Sequence, residues 1–103
     1  MSSQTRIDTG LDYRPGKPVR VRVIHREHRT SVTDDGGAVE LAGTTRDLGR
    51  ATQRVLAEFD VNVNRLGVIE LPVVPIGPSE QAIVCRIAEA SLALYQELLE
   101  SSR

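Results

Sequence analysis

Aromatic residues make up only 3% of this chain of 103 residues, and tryptophan is absent. The aromatic side chains are Tyr13, Phe59 and Tyr95. Nucleic-acid bases and sugars are often held by stacking on aromatic rings, so the chain has few platforms of that kind. Its core must be built from Val, Leu, Ile and Ala, and its length is that of one domain with one core.

Cysteine is scarcer still, since Cys85 is the only one. One thiol cannot form an intramolecular disulfide, and the Cys and His spacing of a zinc site is missing. A long apolar run is also missing, because Glu70, Pro72 and Pro75 interrupt the mainly apolar residues 68–76. The first residues lack the apolar region of a signal peptide. We therefore predict a cytoplasmic protein that does not span a membrane.

Sequence motifs of catalysis are missing too. The chain contains no Gly-x-Ser-x-Gly or Ser-x-x-Lys motif and no phosphate-binding glycine loop. Cys85 lies between Val84 and Arg86 with no histidine beside it, so we interpret it as a small residue that packs in the core. We predict a protein that is not an enzyme and that binds no cofactor.

Asp34 and Asp35 are adjacent carboxylates, followed by Gly36 and Gly37. This order is typical of a turn, because Asp accepts hydrogen bonds from nearby backbone amides and Gly adopts positive φ. The spaced carboxylates of a calcium loop are not present. We predict a turn and no metal site, and the alternative is a metal-dependent enzyme that acts through Asp34 or Asp35.

Before this turn the sequence predicts an antiparallel hairpin. In residues 19–23 Val alternates with Arg, which is the period of a half-buried strand. Residues 29–33 are rich in β-branched side chains and can return as a second strand. Residues 25–28 connect them, and His25 and His28 there do not have the spacing of a helical zinc motif. We interpret both histidines as exposed turn residues.

The net charge is −1, but basic and acidic residues are unevenly distributed. Residues 1–33 contain seven basic and three acidic residues, whereas residues 34–103 contain six basic and eleven acidic ones. Such polarity suits recognition of a charged partner or of a second copy, and the alternative is a solvent-exposed strand face that is rich in Arg. The candidate contacts for an anionic partner are in the first hairpin. They are Arg20, Arg22, Arg26 and Arg29.

After the Asp-Asp-Gly-Gly turn the sequence predicts two helices. Residues 38–42, closed by Gly43, can form one helical turn. An amphipathic helix follows, with Thr44 or Thr45 as its N-cap, and it ends near Asp60.

The last part of the chain predicts a second hairpin and a long helix. Residues 61–64 and 68–73 form the hairpin. The helix begins with Gly77 or Ser79 as its cap and runs to about Glu100. Its apolar arc is wider than one sheet face requires, and the candidates to cover it are the N-terminal arm or the same helix of a second copy. The predicted homodimer interface consists of Ile83, Ile87, Leu94, Tyr95 and Leu98.

Together these elements predict an α+β fold. We expect a two-layer sandwich in which an antiparallel sheet of two hairpins carries helices on one face, in the order ββ(α)αββα. Residues 1–18 are predicted to be a flexible N-terminal arm, and residues 19–103 a single domain.

Three segments resemble an uncharacterised bacterial domain-of-unknown-function family. They are the Asp-Asp-Gly turn in residues 33–37, the Asn-rich hairpin in residues 62–68 and the helical pattern of residues 88–95. That family has no settled activity, so the resemblance implies no catalytic residue. The element order is also similar to that of the bacterial secretion chaperones, which dimerise and bind other polypeptides, although fold does not imply function.

Besides the metal-dependent enzyme, two non-enzymatic functions are compatible with these observations. The first is a non-enzymatic, self-associating protein-interaction module of the chaperone or adaptor type, indicated by the wide apolar arc and the missing catalytic motifs. The alternative is a nucleic-acid-binding accessory protein that uses the Arg-rich first hairpin. The acidic remainder of the chain and the lack of aromatic residues weigh against this alternative.

Overall fold

Five antiparallel strands form one sheet in the computed structural model, which describes residues 3–101. The strands lie side by side in the order β1-β2-β3-β5-β4. Their bounds are β1 Ser3–Arg14, β2 Lys17–Arg26, β3 Arg29–Thr33, β4 Asn62–Val63 and β5 Ile69–Val73. The first three strands form a meander, and the last two form a hairpin that joins it through β5.

The three helices of the described residues build a second layer on one face of this sheet. They are α1 (Gly37–Ala42), α2 (Leu48–Phe59) and α3 (Glu80–Ser101). The long helix α3 contacts β1, β2, β3 and β5, while α1 and α2 pack against α3. The chain therefore has the predicted α+β class, with antiparallel strands on one side and helices on the other.

The alternation predicted for the first hairpin is confirmed. Val19, Val21 and Val23 are at most 2% exposed because they face the helices, whereas Arg20 is exposed on the other face of the sheet. The hairpin closes at Arg26 and Arg29, which lie directly opposite each other. Apolar burial on one face and charge on the other thus fix which side of β2 receives the helices.

The prediction that the folded domain starts after residue 18 is wrong for residues 3–14. These residues form β1, which pairs with β2 and contacts α3. Ile7, Leu11 and Tyr13 are half-buried and pack against the core, so β1 is part of the folded domain. The Ser, Thr and Gly content that suggested an arm is compatible with an edge strand, because one side of such a strand meets solvent. Residues 1–2 lie outside the described part.

The predicted capping residue is correct for α3 and wrong for α2. Ser79 is the cap of α3, since its Oγ accepts a hydrogen bond from the Ala82 amide at 3.1 Å. The predicted capping by Thr44 or Thr45 is wrong, because α2 begins at Leu48 and its N-cap residue Asp47 makes no side-chain capping bond. The Thr44 hydroxyl instead accepts from the amide of Arg46 within the connecting loop.

The apolar arc of α3 is covered by the chain itself. All five predicted interface residues belong to the core and are between 0% and 4% exposed. The sheet covers one side of the arc, α1 and α2 cover another, and Tyr13 of β1 places its ring 5.3 Å from that of Tyr95. The prediction that this arc forms a homodimer interface is therefore wrong, because the side chains that motivated it are inside the domain. These residues are Ile83, Ile87, Leu94, Tyr95 and Leu98.

Candidate functional site

The face of the sheet that carries no helix is rich in arginine. Residues directly opposite each other in an antiparallel pair point to the same face, so the strand register assigns each side chain to a side. Arg6 of β1 lies opposite Arg22 of β2, and Arg26 lies opposite Arg29 across the hairpin. We call the resulting surface the arginine face. It comprises Arg6, Arg20, Arg22, Arg26 and Arg29.

Two pairs of like charge are therefore held together on this face. The Cβ atoms of directly opposed residues are about 4.5 to 5.5 Å apart, and like charges in such positions destabilise a sheet. Both Arg6 with Arg22 and Arg26 with Arg29 have this arrangement. The strand register thus places like-charged residues opposite each other, and only for Arg22 does a carboxylate of the described residues, that of Asp35, offset the charge.

Counterions within the chain are few on the arginine face. Arg22 donates to Asp35 Oδ1 at 2.6 Å and to Gln4 Oε1 at 2.9 Å. Among the ion pairs of residues 3–101, that with Asp35 is the only one that involves this face. Asp8 lies opposite Arg20 in the strand register without forming an ion pair in this part of the chain. Most of the positive charge is thus available to an external anion.

A cleft of about 230 Å³ lies at the end of the arginine face nearest α1. Its lining includes Arg6, Arg20 and Arg22, together with the carboxylates of Asp35 and Glu40. Because the cleft contains both charges, a carboxylate can orient a neighbouring guanidinium there, as Asp35 orients Arg22.

The four arginines predicted from sequence lie on one face, and the structure adds Arg6 to them. Arg6 was missed because residues 1–18 were assigned to an arm. The alternation of Arg6, Ile7 and Asp8 is a period-two signal that could have indicated a strand.

The two adjacent aspartates have different environments. Asp34 is 3% exposed and points inward, where its Oδ1 accepts from the amides of Gly36 and Ile69, both at 2.9 Å. Asp35 adopts φ 55° and points outward to Arg22. The turn prediction is confirmed, because Asp34 organises the backbone between β3 and α1.

A buried polar chain continues from Asp34 through Ser91 to Tyr13. Ser91 is 0% exposed, donates to Asp34 Oδ2 at 2.7 Å and lies 2.6 Å from the Tyr13 hydroxyl. Burial raises the pKa of Asp34 above its usual value, although its hydrogen bonds oppose this shift. Burial also raises the pKa of Tyr13 to about 12. We call Asp34, Ser91 and Tyr13 the Asp34 network. Its central residue Ser91 is fully buried and therefore inaccessible to a substrate. The network connects the turn after β3 with α3 and β1.

The remaining residues singled out from sequence do not assemble into a site. The prediction that His25 is an exposed turn residue is wrong, because it lies in β2 and is half-buried near Thr30 and Glu80. His28 is 90% exposed beside Glu27, as predicted. Within residues 3–101 no three His, Cys, Asp or Glu side chains are close enough to hold a metal ion.

The prediction that Cys85 packs in the core is wrong. Its side chain is exposed in a groove between β1 and the first half of α3. The side of α3 that carries Cys85 faces the open edge of the sheet, where no further strand covers it in the described residues.

Comparison of the chain with protein families, with curated proteins and with solved structures gave no match. The resemblance to a bacterial domain-of-unknown-function family thus stays a prediction. No helix between residues 3 and 101 is long and apolar enough to cross a membrane.

Proposed function

We propose that the protein is a non-enzymatic, cytoplasmic binding protein that holds the phosphate backbone of a nucleic acid on the arginine face. The observation that supports this proposal most strongly is that two pairs of arginines lie directly opposite each other, Arg6 with Arg22 and Arg26 with Arg29. Phosphates placed between like-charged side chains would relieve their repulsion and release condensed counterions from the nucleic acid.

The chemistry of the surface indicates backbone contacts rather than base recognition. Guanidinium groups bind phosphate through parallel hydrogen bonds, and these contacts carry no sequence information. The strand residues of the arginine face include no aromatic side chain on which a base could stack. Binding should therefore depend steeply on salt and weakly on sequence.

The spacing of the surface suits a repeating polyanion. Arg22 and Arg26 are four residues apart on β2, which corresponds to about 13 Å along a strand. The Asp34 network supports this geometry, because it fixes the turn from which Asp35 orients Arg22. In this proposal the network is a scaffold for the binding surface.

Fluorescence anisotropy with a labelled duplex and a labelled single strand tests the proposal across a salt series. The variant Arg26→Gln with Arg29→Gln removes one opposed pair at the exposed end of the hairpin. Its matched control is Arg46→Gln with Arg50→Gln, which removes the same charge from exposed positions in and before α2.

We expect the hairpin variant to bind both probes at least about tenfold more weakly and to reduce the salt slope by about 2, one for each lost phosphate contact. The control should retain the slope of the wild type. Equal losses in the two variants would show that only net charge matters, and absence of wild-type binding at about 50 mM salt would refute the proposal.

A second candidate function is that of a protein-interaction module. It is favoured by the exposed apolar side chains of the loop between β5 and α3, where Ile76 is 96% and Val74 47% exposed. A photo-crosslinking residue at position 76 should give a discrete crosslinked product in cells, whereas the same residue at position 50 should not. Identical product patterns at the two positions would rule out this candidate.

A further inference from the structure

The sheet has one long open edge. β1 spans 12 residues and pairs with β2 on one side, while no strand of the described residues pairs with its other side. The opposite edge is formed by β4, which has only two residues. Exposed backbone N–H and C=O groups on a long edge strand are a template for pairing with another chain.

The open edge is regular in its first half. Ser3 to Asp8 follow an unbroken register with β2, and irregularities begin between Asp8 and Asp12, around Gly10 with φ 78°. A bulge at this point twists the strand and ends regular pairing. An incoming strand would therefore pair with the part of β1 near Ile7 and not with its whole length.

We propose that two copies of the chain associate by antiparallel pairing of their β1 strands about a two-fold axis through Ile7. The proposal goes beyond nucleic-acid binding and does not depend on it. It places the self-association expected from sequence at the sheet edge instead of the buried arc of α3.

Charge complementarity selects this register. Opposed residues must point to the same face, so the axis of a symmetric β1 pair passes through one residue. An axis at Arg6 places two arginines opposite each other, and an axis at Asp8 does the same with two aspartates. An axis at Ile7 places Arg6 opposite Asp8 of the second copy, and symmetry repeats this pair.

The groove beside the edge is compatible with the same occupant. It has a volume of about 360 Å³, and its lining combines apolar residues such as Ile7, Leu11 and Val84 with polar ones, among them Asp8, Glu80 and Glu89. Ile7 is half-buried on the helix side of the sheet, so an axis at this residue brings the Ile7 side chains of two copies together at the groove. Pairing would remove apolar surface and free backbone groups from water at once.

This arrangement also extends the arginine face. A two-fold axis perpendicular to the sheet leaves both helix-free faces on the same side of the dimer. Arg6 is then paired with Asp8 of the second copy, and the other arginines of the two faces form one continuous surface. They are Arg20, Arg22, Arg26 and Arg29 of each copy. A long polyanion could then contact both copies, which would raise its affinity without new contacts within either copy.

A charge-swap experiment on the full chain tests the pairing without nucleic acid. Light scattering over a concentration series is measured for wild type, Arg6→Asp, Asp8→Arg and the double swap. Each single swap places like charges opposite each other twice, whereas the double swap restores both pairs. Arg26→Asp is the control, since it changes charge on the same face away from the edge, and circular dichroism confirms folding of each variant.

We expect a dimer for the wild type, the control and the double swap, and at least about tenfold weaker association for each single swap. A wild-type monomer up to about 1 mM would overturn the proposal. Single swaps that associate like the wild type, or a double swap that fails to recover, would overturn the register through Ile7. None of these outcomes depends on the anisotropy result, so the dimer and the nucleic-acid proposal can fail separately.

Discussion

Ser91 donates a hydrogen bond of 2.7 Å to Asp34, although 57 positions separate the two residues in the sequence. The bond connects the middle of α3 to the turn that follows β3. Asp34 also accepts from the amide of Ile69 in β5, and Ser91 lies within hydrogen-bond distance of Tyr13 in β1. One carboxylate and one hydroxyl thus join four elements of the fold.

Replacing Ser91 by Ala should destabilise the protein by about 1–3 kcal/mol, because it leaves a buried carboxylate oxygen without its donor. Tyr13→Phe removes only the outer bond of the network and should cost about 0.5–1.5 kcal/mol. Urea unfolding of both variants and of the double variant forms a cycle. Since the two hydroxyls bond to each other, the double variant should lose less than the sum of the single losses. If the loss of stability in the double variant equals the sum of the two single losses, the hydroxyls of Ser91 and Tyr13 do not interact.

The raised pKa of Asp34 predicts how stability varies with pH. Between the unfolded value near 3.8 and the higher folded pKa, the unfolded chain has released the proton while the folded chain retains it. The unfolding free energy contributed by Asp34 should therefore fall as pH rises through this window. Denaturant unfolding at several pH values should show wild type losing stability relative to Asp34→Asn as pH increases from about 3.8. A relative gain would mean that the hydrogen bonds outweigh desolvation.

The pKa of Tyr13, raised to about 12 by burial, predicts a late phenol ionisation. Ultraviolet titration of the folded protein should show an ionisation near pH 12 that is missing in Tyr13→Phe. Because the unfolded phenol titrates at 10.0, the contribution of Tyr13 to stability should be lost between that pH and about 12. If Tyr13→Phe leaves the ultraviolet titration unchanged, the ionisation near pH 12 does not belong to Tyr13.

Replacing Gly67 by Ala should destabilise the protein far more than replacing Gly43 by Ala. Both adopt positive φ, 83° and 68° respectively, so both substitutions cost backbone strain. Only at Gly67 would a Cβ also clash with Val39 Cγ2, whereas the space at Gly43 is open. Thermal unfolding should show an additional loss of about 1–3 kcal/mol for Gly67→Ala from overpacking. Equal losses would show that Val39 moves aside freely.

Leu94 should behave as a core residue. It is 0% exposed, so Leu94→Ala should cost about 2–5 kcal/mol, and Leu94→Asp should prevent folding. Leu66→Ala is the control, because Leu66 is 74% exposed and the substitution should change stability by less than about 0.5 kcal/mol. If Leu94→Asp folds and only its molar mass in light scattering changes, Leu94 lies in a subunit interface and not in the core.

Local signals predicted several elements correctly. The Val and Arg alternation of β2, the Gly43 end of α1 and the Ser79 cap of α3 each depend on residues adjacent in sequence. The predicted cap of α2, Thr44 or Thr45, is too early in the chain, and the Thr44 hydroxyl accepts a hydrogen bond within the preceding loop instead. Such competition between equally local hydrogen bonds is decided by the surrounding packing.

The candidate site was predictable only in part. Arg20 and Arg22 share a strand pattern, and Arg26 and Arg29 flank the tip of the predicted hairpin, so all four were found from local sequence. Arg6 joined them because β1 pairs with β2 across the turn, and Asp34 became buried because α3 supplies Ser91. Neither partner is adjacent in sequence, so composition alone could not distinguish the inward Asp34 from the outward Asp35.

The sequence by itself determined the class of the fold, the alternating faces of β2 and the apolar arc of α3, since these follow from periodicity. Only the tertiary structure decided what covers that arc and which charges meet. The apolar residues of α3 have no preference between their own chain and a second copy, because burial depends on area and not on the identity of the surface. The N-terminal strand, α1 and α2 cover the arc within one chain, and this leaves the open edge of β1, the arginine face and the loop between β5 and α3 among the surfaces available to partners.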